Sequence, residues 1–205
     1  MRALLDGMGF DIAAFQEVEM RPGDMLPEKA GGVPAGWNIR TVWSIETPGR
    51  RYGQALVSRY PVARFEAHDI SVAGRESRHL LDMTCDTPWG HVRAIAGHFG
   101  LAAAERRRQA AALVDIVRRE PSRSQELPTL LCGDFNEWRR NGPVSRAITR
   151  LFAGHAAPAS FPARFPVLAL DRIYVRGGLA IVRAAACREA AAASDHLPVI
   201  ADLSL

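Results

Sequence analysis

Apolar residues in this chain come in short runs broken by Gly, Pro or charge, and one longer stretch follows a helical period. Asp11 to Phe15 (Asp-Ile-Ala-Ala-Phe) is a brief apolar run bounded by turn and charge signals, the pattern of a buried strand. Asn38 to Ile45 and Gln54 to Ser58 predict two strands joined around Pro48-Gly49. Leu80 to Cys85 and Val92 to Gly97 predict a second pair around Pro88-Trp89-Gly90. From Ala102 to Arg119 the period changes. Ala103, Arg106, Ala110, Leu113, Val114 and Val117 share one face, which predicts an amphipathic helix. Glu105 in its first turn and Arg118-Arg119 in its last complement the helix dipole. Thr129 to Cys132, Leu168 to Val175, Ala180 to Ala184 and Val199 to Leu203 supply the remaining strands. Arg2 to Met8 reads as the tail of a helix closed by Gly9, and the Gly- and Pro-rich stretch Pro22 to Gly36 as loop. Irregularly spaced strands with few helices predict an α/β sandwich of mixed sheets rather than a βαβ repeat.

Composition adds limits. At 205 residues the chain is the size of one domain, and residues 1–205 show no repeat or linker that would divide it. With 48% hydrophobic and 23% charged residues, disorder, collagen and coiled coil are excluded. No apolar run approaches the ~20 residues of a membrane-spanning helix, and the N-terminus does not read as a signal peptide, so a soluble, cytoplasmic monomer is expected. Lys+Arg 26 against Asp+Glu 22 leaves +4, and Lys29 is the single lysine; a charge this small does not by itself specify nucleic acid. Cys85, Cys132 and Cys187 show no metal-ligand spacing and read as reduced, mostly buried thiols.

Candidate chemistry gathers at strand ends. Gln16-Glu17 follows the first strand, His98 follows Val92–Gly97, and Gly133-Asp134-Phe135-Asn136 follows Thr129–Cys132. Asp171 lies in the Leu168 strand, and Ser194-Asp195-His196 precedes the last one. Burying such groups is costly unless they meet partners or a metal. Glu17, Asp134, Asn136, Asp171, Asp195, His98 and His196 form an oxygen-rich set without cysteine, which suits Mg²⁺ or Mn²⁺ rather than a structural zinc. A divalent cation among carboxylates beside imidazoles is equipment for hydrolysing a phosphate ester. Arg78 and Trp138 are further candidates for meeting substrate, and Ser160 to Phe165 for lining its groove.

Six segments in order carry a resemblance: Gln16-Glu17-Val18, Ser58-Arg59-Tyr60-Pro61, Gly97-His98-Phe99, Gly133-Asp134-Phe135-Asn136, Leu170-Asp171-Arg172-Ile173 and Ser194-Asp195-His196-Leu197-Pro198. Together they resemble the motifs of the endonuclease/exonuclease/phosphatase superfamily, whose members include deoxyribonucleases, abasic endonucleases, sphingomyelinases, inositol-polyphosphate phosphatases and deadenylases. The resemblance implies a four-layer α/β/β/α sandwich of two mixed sheets flanked by helices. It implies that Glu17 is the principal metal ligand with Asp195 in support, and that Asp134 orients or deprotonates water. It further implies that Asn136 contacts the phosphate, that His98 contacts it or assists the leaving group, and that His196 touches it while oriented by Asp171.

Two departures from the resemblance matter. Its members usually begin with an Asn-bearing strand before the helix that precedes Gln-Glu, whereas this chain opens within that helix, so a truncated start is expected. Gln54 stands where relatives often carry Asn. The functional expectation is a phosphodiesterase of nuclease-like type, acting on nucleic acid, phospholipid or a small phosphodiester. A phosphomonoesterase or a phospholipid-headgroup hydrolase is the alternative, and a non-catalytic binding domain that keeps the fold is the third.

Overall fold

The computed structural model describes residues 9–20, 36–119 and 126–205. Eleven strands and two helices follow one another along them. They are β1 (Ile12–Met20), β2 (Asn38–Thr47), β3 (Arg50–Ser58), β4 (Val62–Asp69), β5 (His79–Thr87) and β6 (Gly90–His98). After α1 (Ala103–Arg118) come β7 (Thr129–Asp134), α2 (Pro143–Thr149), β8 (Gly154–Ala156), β9 (Asp171–Arg176), β10 (Ala180–Ala186) and β11 (Val199–Ser204).

A six-stranded sheet, in the order β4-β5-β6-β7-β9-β8, forms the centre of the molecule. It is mixed: β6 and β7 run parallel and the other neighbours antiparallel. Side chains alternate across a pleated strand, so successive residues serve opposite layers. Leu80, Ile95, Leu131 and Tyr174 face the helices and meet Leu113 and Val117 of α1 and Val144 and Ile148 of α2. Leu81, Met83, Ala94 and Ala96 project the other way, onto Leu56 of β3 with Ile12 and Ala14 of β1. Leu130, Ile173 and Val175 extend that face beneath Ile181, Val199 and Leu203. The second β-layer thus consists, among the described residues, of an antiparallel three-stranded sheet β1-β3-β2 and an antiparallel pair β10-β11. The architecture is the expected α/β sandwich; the helix predicted at Arg2–Met8 and the loop over 22–35 lie outside the described residues.

The α1 boundaries and most strands fall where the pattern places them. Three elements were not anticipated. Strand β4 is an edge strand with mostly exposed positions, and α2 and β8 are too short to display a period. The strand predicted from Leu168 begins at Asp171, because residues 160–168 fold back on themselves through a Phe161–Leu168 bridge. Strand β1 runs on to Met20 rather than ending at Phe15, since Val18, Glu19 and Met20 pair with Gly53, Tyr52 and Arg51 of β3.

Gly133 marks the tightest approach in the central sheet. Its φ is +140°, and a Cβ there would lie 1.9 Å from the Gly97 carbonyl oxygen on β6. Only glycine suits that backbone and that space. No described helix is long and apolar enough to cross a membrane.

Candidate active site

Register builds the site. On three adjacent strands, His98 pairs with Asp134, and Asp134 pairs with Asp171, so the three chemistry-bearing residues lie side by side across one end of the central sheet. The ends of β6 and β7 and the start of β9 coincide there because β9 runs antiparallel to β7.

His98 is buried, and its Nδ1 lies 2.7 Å from an Arg78 guanidinium nitrogen. Guanidinium only donates, so Nδ1 accepts and the ring proton of the neutral imidazole sits on Nε2. Nε2 lies 3.6 Å from Asp134 Oδ2. Burial, then the positive charges of Arg78 and His196, push the His98 pKa down to about 3, so the ring is neutral at physiological pH. Arg78 is itself buried and also donates to Glu76 at 3.0 Å, while its Nε is buried without a hydrogen-bond partner.

Asp134 is buried, and burial pushes its pKa up to about 6; the neighbouring charges of Asp171 and Glu17 add to the rise. The Asn136 backbone N–H, donating to Oδ1 at 2.8 Å, and the His196 charge pull the other way. Asn136 has φ 48°, a conformation that Asn tolerates better than most residues. Its side-chain Nδ2 donates to the Phe99 carbonyl at 2.8 Å, so this amide nitrogen locks the β7 loop to the β6 loop.

His196 is the counterpart of His98 with the opposite protonation preference. Its Nδ1 lies 2.7 Å from Asp171 Oδ2, which also accepts from Ser160 Oγ at 2.6 Å. Burial disfavours the imidazolium, but the hydrogen bond and charge of Asp171, with Asp134 and Asp195, outweigh it and raise the His196 pKa. The Phe161 ring lies 4.7 Å from the His196 ring, centroid to centroid. Backbone bonds from Leu197 to Ser160 and from Ala163 to Asp195 stitch the 160–168 loop to the His196 segment.

Glu17 lies inside β1 rather than beyond its end, and it is exposed rather than buried. The β1–β3 register slips between Phe15, opposite Ala55, and Val18, opposite Gly53. Gln16 and Glu17 therefore bulge opposite Gln54, and Glu17 takes φ 58°, a strained choice for a non-glycine residue. Glu17 also reaches Tyr52, whose hydroxyl pKa is raised by burial and then by this hydrogen bond. Gln54 is buried; its Nε2 donates to the His79 carbonyl at 3.2 Å, and its Oε1 is buried without a partner. Asp195 is exposed and accepts from Ser194 Oγ at 3.3 Å; Trp138, two residues past Asn136, is 68% exposed.

Sequence reasoning missed Tyr52, Ser160 as the second partner of Asp171, and Glu137. Buried Glu137 accepts from the Val144 N–H at 3.3 Å and so fastens the loop after Asn136 to α2. The signal for Glu137 was its place directly after the Gly-Asp-Phe-Asn run; the contacts of Tyr52 and Ser160 span distances that no local pattern encodes. Of the remaining histidines, His68 lies between Glu66 and Asp82, and His155 stacks on Tyr174.

Among the described residues, no group of three or more His, Cys, Asp or Glu side chains is gathered closely enough to hold a metal ion. The donor chemistry nevertheless fits a hard divalent cation. The charges of Glu17 and Asp171 both oppose ionisation of Asp134, and Gln54 adds a buried carbonyl oxygen without a partner opposite the Glu17 bulge.

A sandwich whose central sheet ends in a buried carboxylate flanked by one neutral and one carboxylate-paired histidine defines a class of α/β proteins with a polar site at one end. This chain belongs to the endonuclease/exonuclease/phosphatase family, whose profile matches residues 1–196. A protein of Escherichia coli (strain K12) described as "Uncharacterized protein YbhP" is 37% identical over 183 residues, covering 80% of this chain and 70% of that one. Solved structures share the fold. An endonuclease/exonuclease/phosphatase from Beutenbergia cavernae superposes with a TM-score of 0.73 at 19% identity, over 100% of this chain and 65% of that chain. A mannosyl-6-phosphatase from Bacteroides thetaiotaomicron gives 0.79 at 17% identity, over 100% and 89%. D. rerio TDP2, in complex with a single-strand DNA product, gives 0.74 at 15%, over 99% and 89%.

Proposed function

We propose that this protein is a divalent-metal-dependent hydrolase of phosphate esters, foremost of phosphodiesters, acting by in-line attack of water on phosphorus. One observation carries the reading: Asp134, with its pKa near 6, stands in register between His98, held neutral, and the Asp171 that raises the His196 pKa. Pairs of titratable groups driven apart by their surroundings are the hallmark of an acid–base site. Membership of the family and the phosphatase among its fold neighbours support the same class.

In this mechanism Asp134 accepts the proton of the attacking water; burial makes its carboxylate a stronger base than a solvated aspartate. His98, neutral, offers its Nε2–H to a phosphoryl oxygen, with Arg78 fixing the tautomer. His196, as imidazolium, places charge beside the phosphate and gives its proton to the leaving oxygen as that P–O bond breaks. Asp171 and Ser160 hold its ring. Asn136 contributes chiefly by locking the Asp134 loop, in addition to the phosphate contact that the family resemblance implies. Glu17 and Asp195 would hold Mg²⁺ or Mn²⁺, which when bound offsets charge on the phosphoryl oxygens and leaving group. The whole chain acts as one catalytic domain, a reading supported by the packing of both helices and both smaller sheets on the sheet that carries the site.

The test is hydrolysis of bis(p-nitrophenyl) phosphate and of p-nitrophenyl phosphate with Mg²⁺ or Mn²⁺, comparing wild type with Asp134→Asn and Glu17→Gln. Metal-dependent turnover of the diester, reduced ~10²–10⁴-fold in Asp134→Asn, is expected. Turnover of the mono-ester alone would replace this reading with a phosphomonoesterase. Inactivity on both esters and on phospholipid and nucleic-acid diesters would leave a binding scaffold.

A further inference from the structure

Four of the exposed large apolar side chains of this protein stand on the loops that carry or adjoin the site residues. Leu101, Trp138, Phe165 and Val167 are 77, 68, 77 and 63% exposed. Leu101 stands three residues beyond His98, and Trp138 two beyond Asn136. Phe165 and Val167 lie on the 160–168 loop, whose Phe161 rests against His196. These loops are tied down at their bases. Asn136 Nδ2 joins the first two through the Phe99 carbonyl, and the bonds Leu197 to Ser160 and Ala163 to Asp195 join the third to the His196 segment.

Cations interleave with the apolar side chains. Arg139 and Arg140 follow Trp138, and Arg164 precedes Phe165; all three are exposed, and none forms an ion pair among the described residues. Leaving one large apolar side chain in water forfeits roughly 1.5–3 kcal/mol relative to burying it. A single such residue is ordinary, but a set of them around a polar site marks an interaction surface. Trp and Phe with arginine could serve base stacking, yet Leu101 and Val167 are aliphatic and have no ring to stack. Hydrocarbon accommodates all four. A lipid surface also suits the mixture of aromatic, aliphatic and arginine side chains.

We infer that this rim docks the mouth of the site onto a bilayer containing anionic phospholipid, and that the substrate is the phosphodiester of a phospholipid headgroup. The substrate half rests on the hydrolase reading above; the docking half does not. The headgroup phosphate carries two ester bonds. Water bonds to phosphorus, one ester P–O bond opens, and the departing oxygen takes up a proton in place of the one that water gives up. Each arginine near an anionic surface contributes about 1 kcal/mol of attraction, which salt weakens.

Sedimentation of the full chain with vesicles tests the docking. Vesicles of phosphatidylcholine alone and of equal parts phosphatidylcholine and phosphatidylglycerol are compared at about 0.1 M and about 0.5 M salt. Wild type sediments with the anionic vesicles and is released by salt. Leu101→Ser/Val167→Ser and Arg139→Gln/Arg140→Gln each weaken binding about tenfold or more. Both keep turnover of bis(p-nitrophenyl) phosphate, which reports intact folding. Equal sedimentation with neutral and anionic vesicles, wild-type binding by both variants, or displacement from vesicles by a single-stranded oligonucleotide at low concentration would overturn the docking. Docking without release of either glycerol or glycerol phosphate from phosphatidylglycerol would overturn the substrate half. Inactivity of the wild type on small, nucleic-acid and phospholipid diesters alike, with docking intact, would refute the hydrolase reading and the substrate half with it, and leave the docking standing.

Discussion

Replacing Asp134 with Asn removes a carboxylate whose ionisation the fold opposes, and the expected consequence is a more stable protein whose diester turnover falls ~10²–10⁴-fold. Asp134 is buried, and its pKa rises from the ordinary 3.8 to about 6. At ~1.4 kcal/mol per pH unit, that rise corresponds to on the order of 3 kcal/mol against the charged form in the folded state. The folded pKa lies above the unfolded one, so between about pH 4 and pH 6 the folded chain keeps a proton that the unfolded chain has released. The associated stability is fully present below about pH 4 and is lost as pH rises through about 6. At pH 7.5 in a chelator the wild type carries the whole penalty and Asp134→Asn none, while Asn keeps an oxygen to accept the Asn136 N–H. For a chain of this length the variant should melt roughly 6–12 °C higher. The gap should shrink toward zero as the pH falls to about 4. Thermal unfolding by circular dichroism across that pH range, with diester turnover measured in parallel, is the assay. A variant no more stable than wild type at pH 7.5, or a gap that does not shrink with acid, would refute the reasoning.

Three other perturbations test separate links. Gly133→Ala forces a Cβ to within 1.9 Å of the Gly97 carbonyl at a φ of +140°, so a loss of several kcal/mol and poor soluble yield are expected; an unchanged urea midpoint would contradict the packing. Arg78→Met removes the donor to His98 Nδ1 and the adjacent positive charge, so the His98 pKa should climb from about 3 by NMR titration while diester turnover falls ~10–100-fold. A His98 that titrates as before would remove Arg78 from that role. Asp171→Asn deletes the charge that raises the His196 pKa, so the alkaline limb of the pH–rate profile should move to lower pH, and an unmoved limb would argue against a protonated His196 in turnover.

The order of strands and the amphipathic helix were readable because burial imposes a period that the residues must obey. Leu80 and Leu81 are both apolar since one serves the helices and the other the second sheet layer. The residues at the candidate site were equally readable as types, because Asp134, Asn136, Asp171 and His196 stand beside apolar runs that have no local use for them. What the period cannot reveal is the neighbour across a sheet. Arg78 meets His98, Ser160 meets Asp171, and the Glu17 bulge forms against β3, all through contacts set by tertiary packing. Edge strand β4 and short α2 escaped for the complementary reason, since few of their residues must be buried or repeat.

Sequence by itself therefore determined the strand-rich sandwich and the inventory of carboxylates, amide and imidazoles, because each depends on local period and residue type. Only the tertiary structure decided which histidine is driven toward the neutral form and which toward the charged one. Both are ordinary imidazoles in the chain; burial beside a guanidinium discharges one, and the Asp171 carboxylate on β9 raises the pKa of the other.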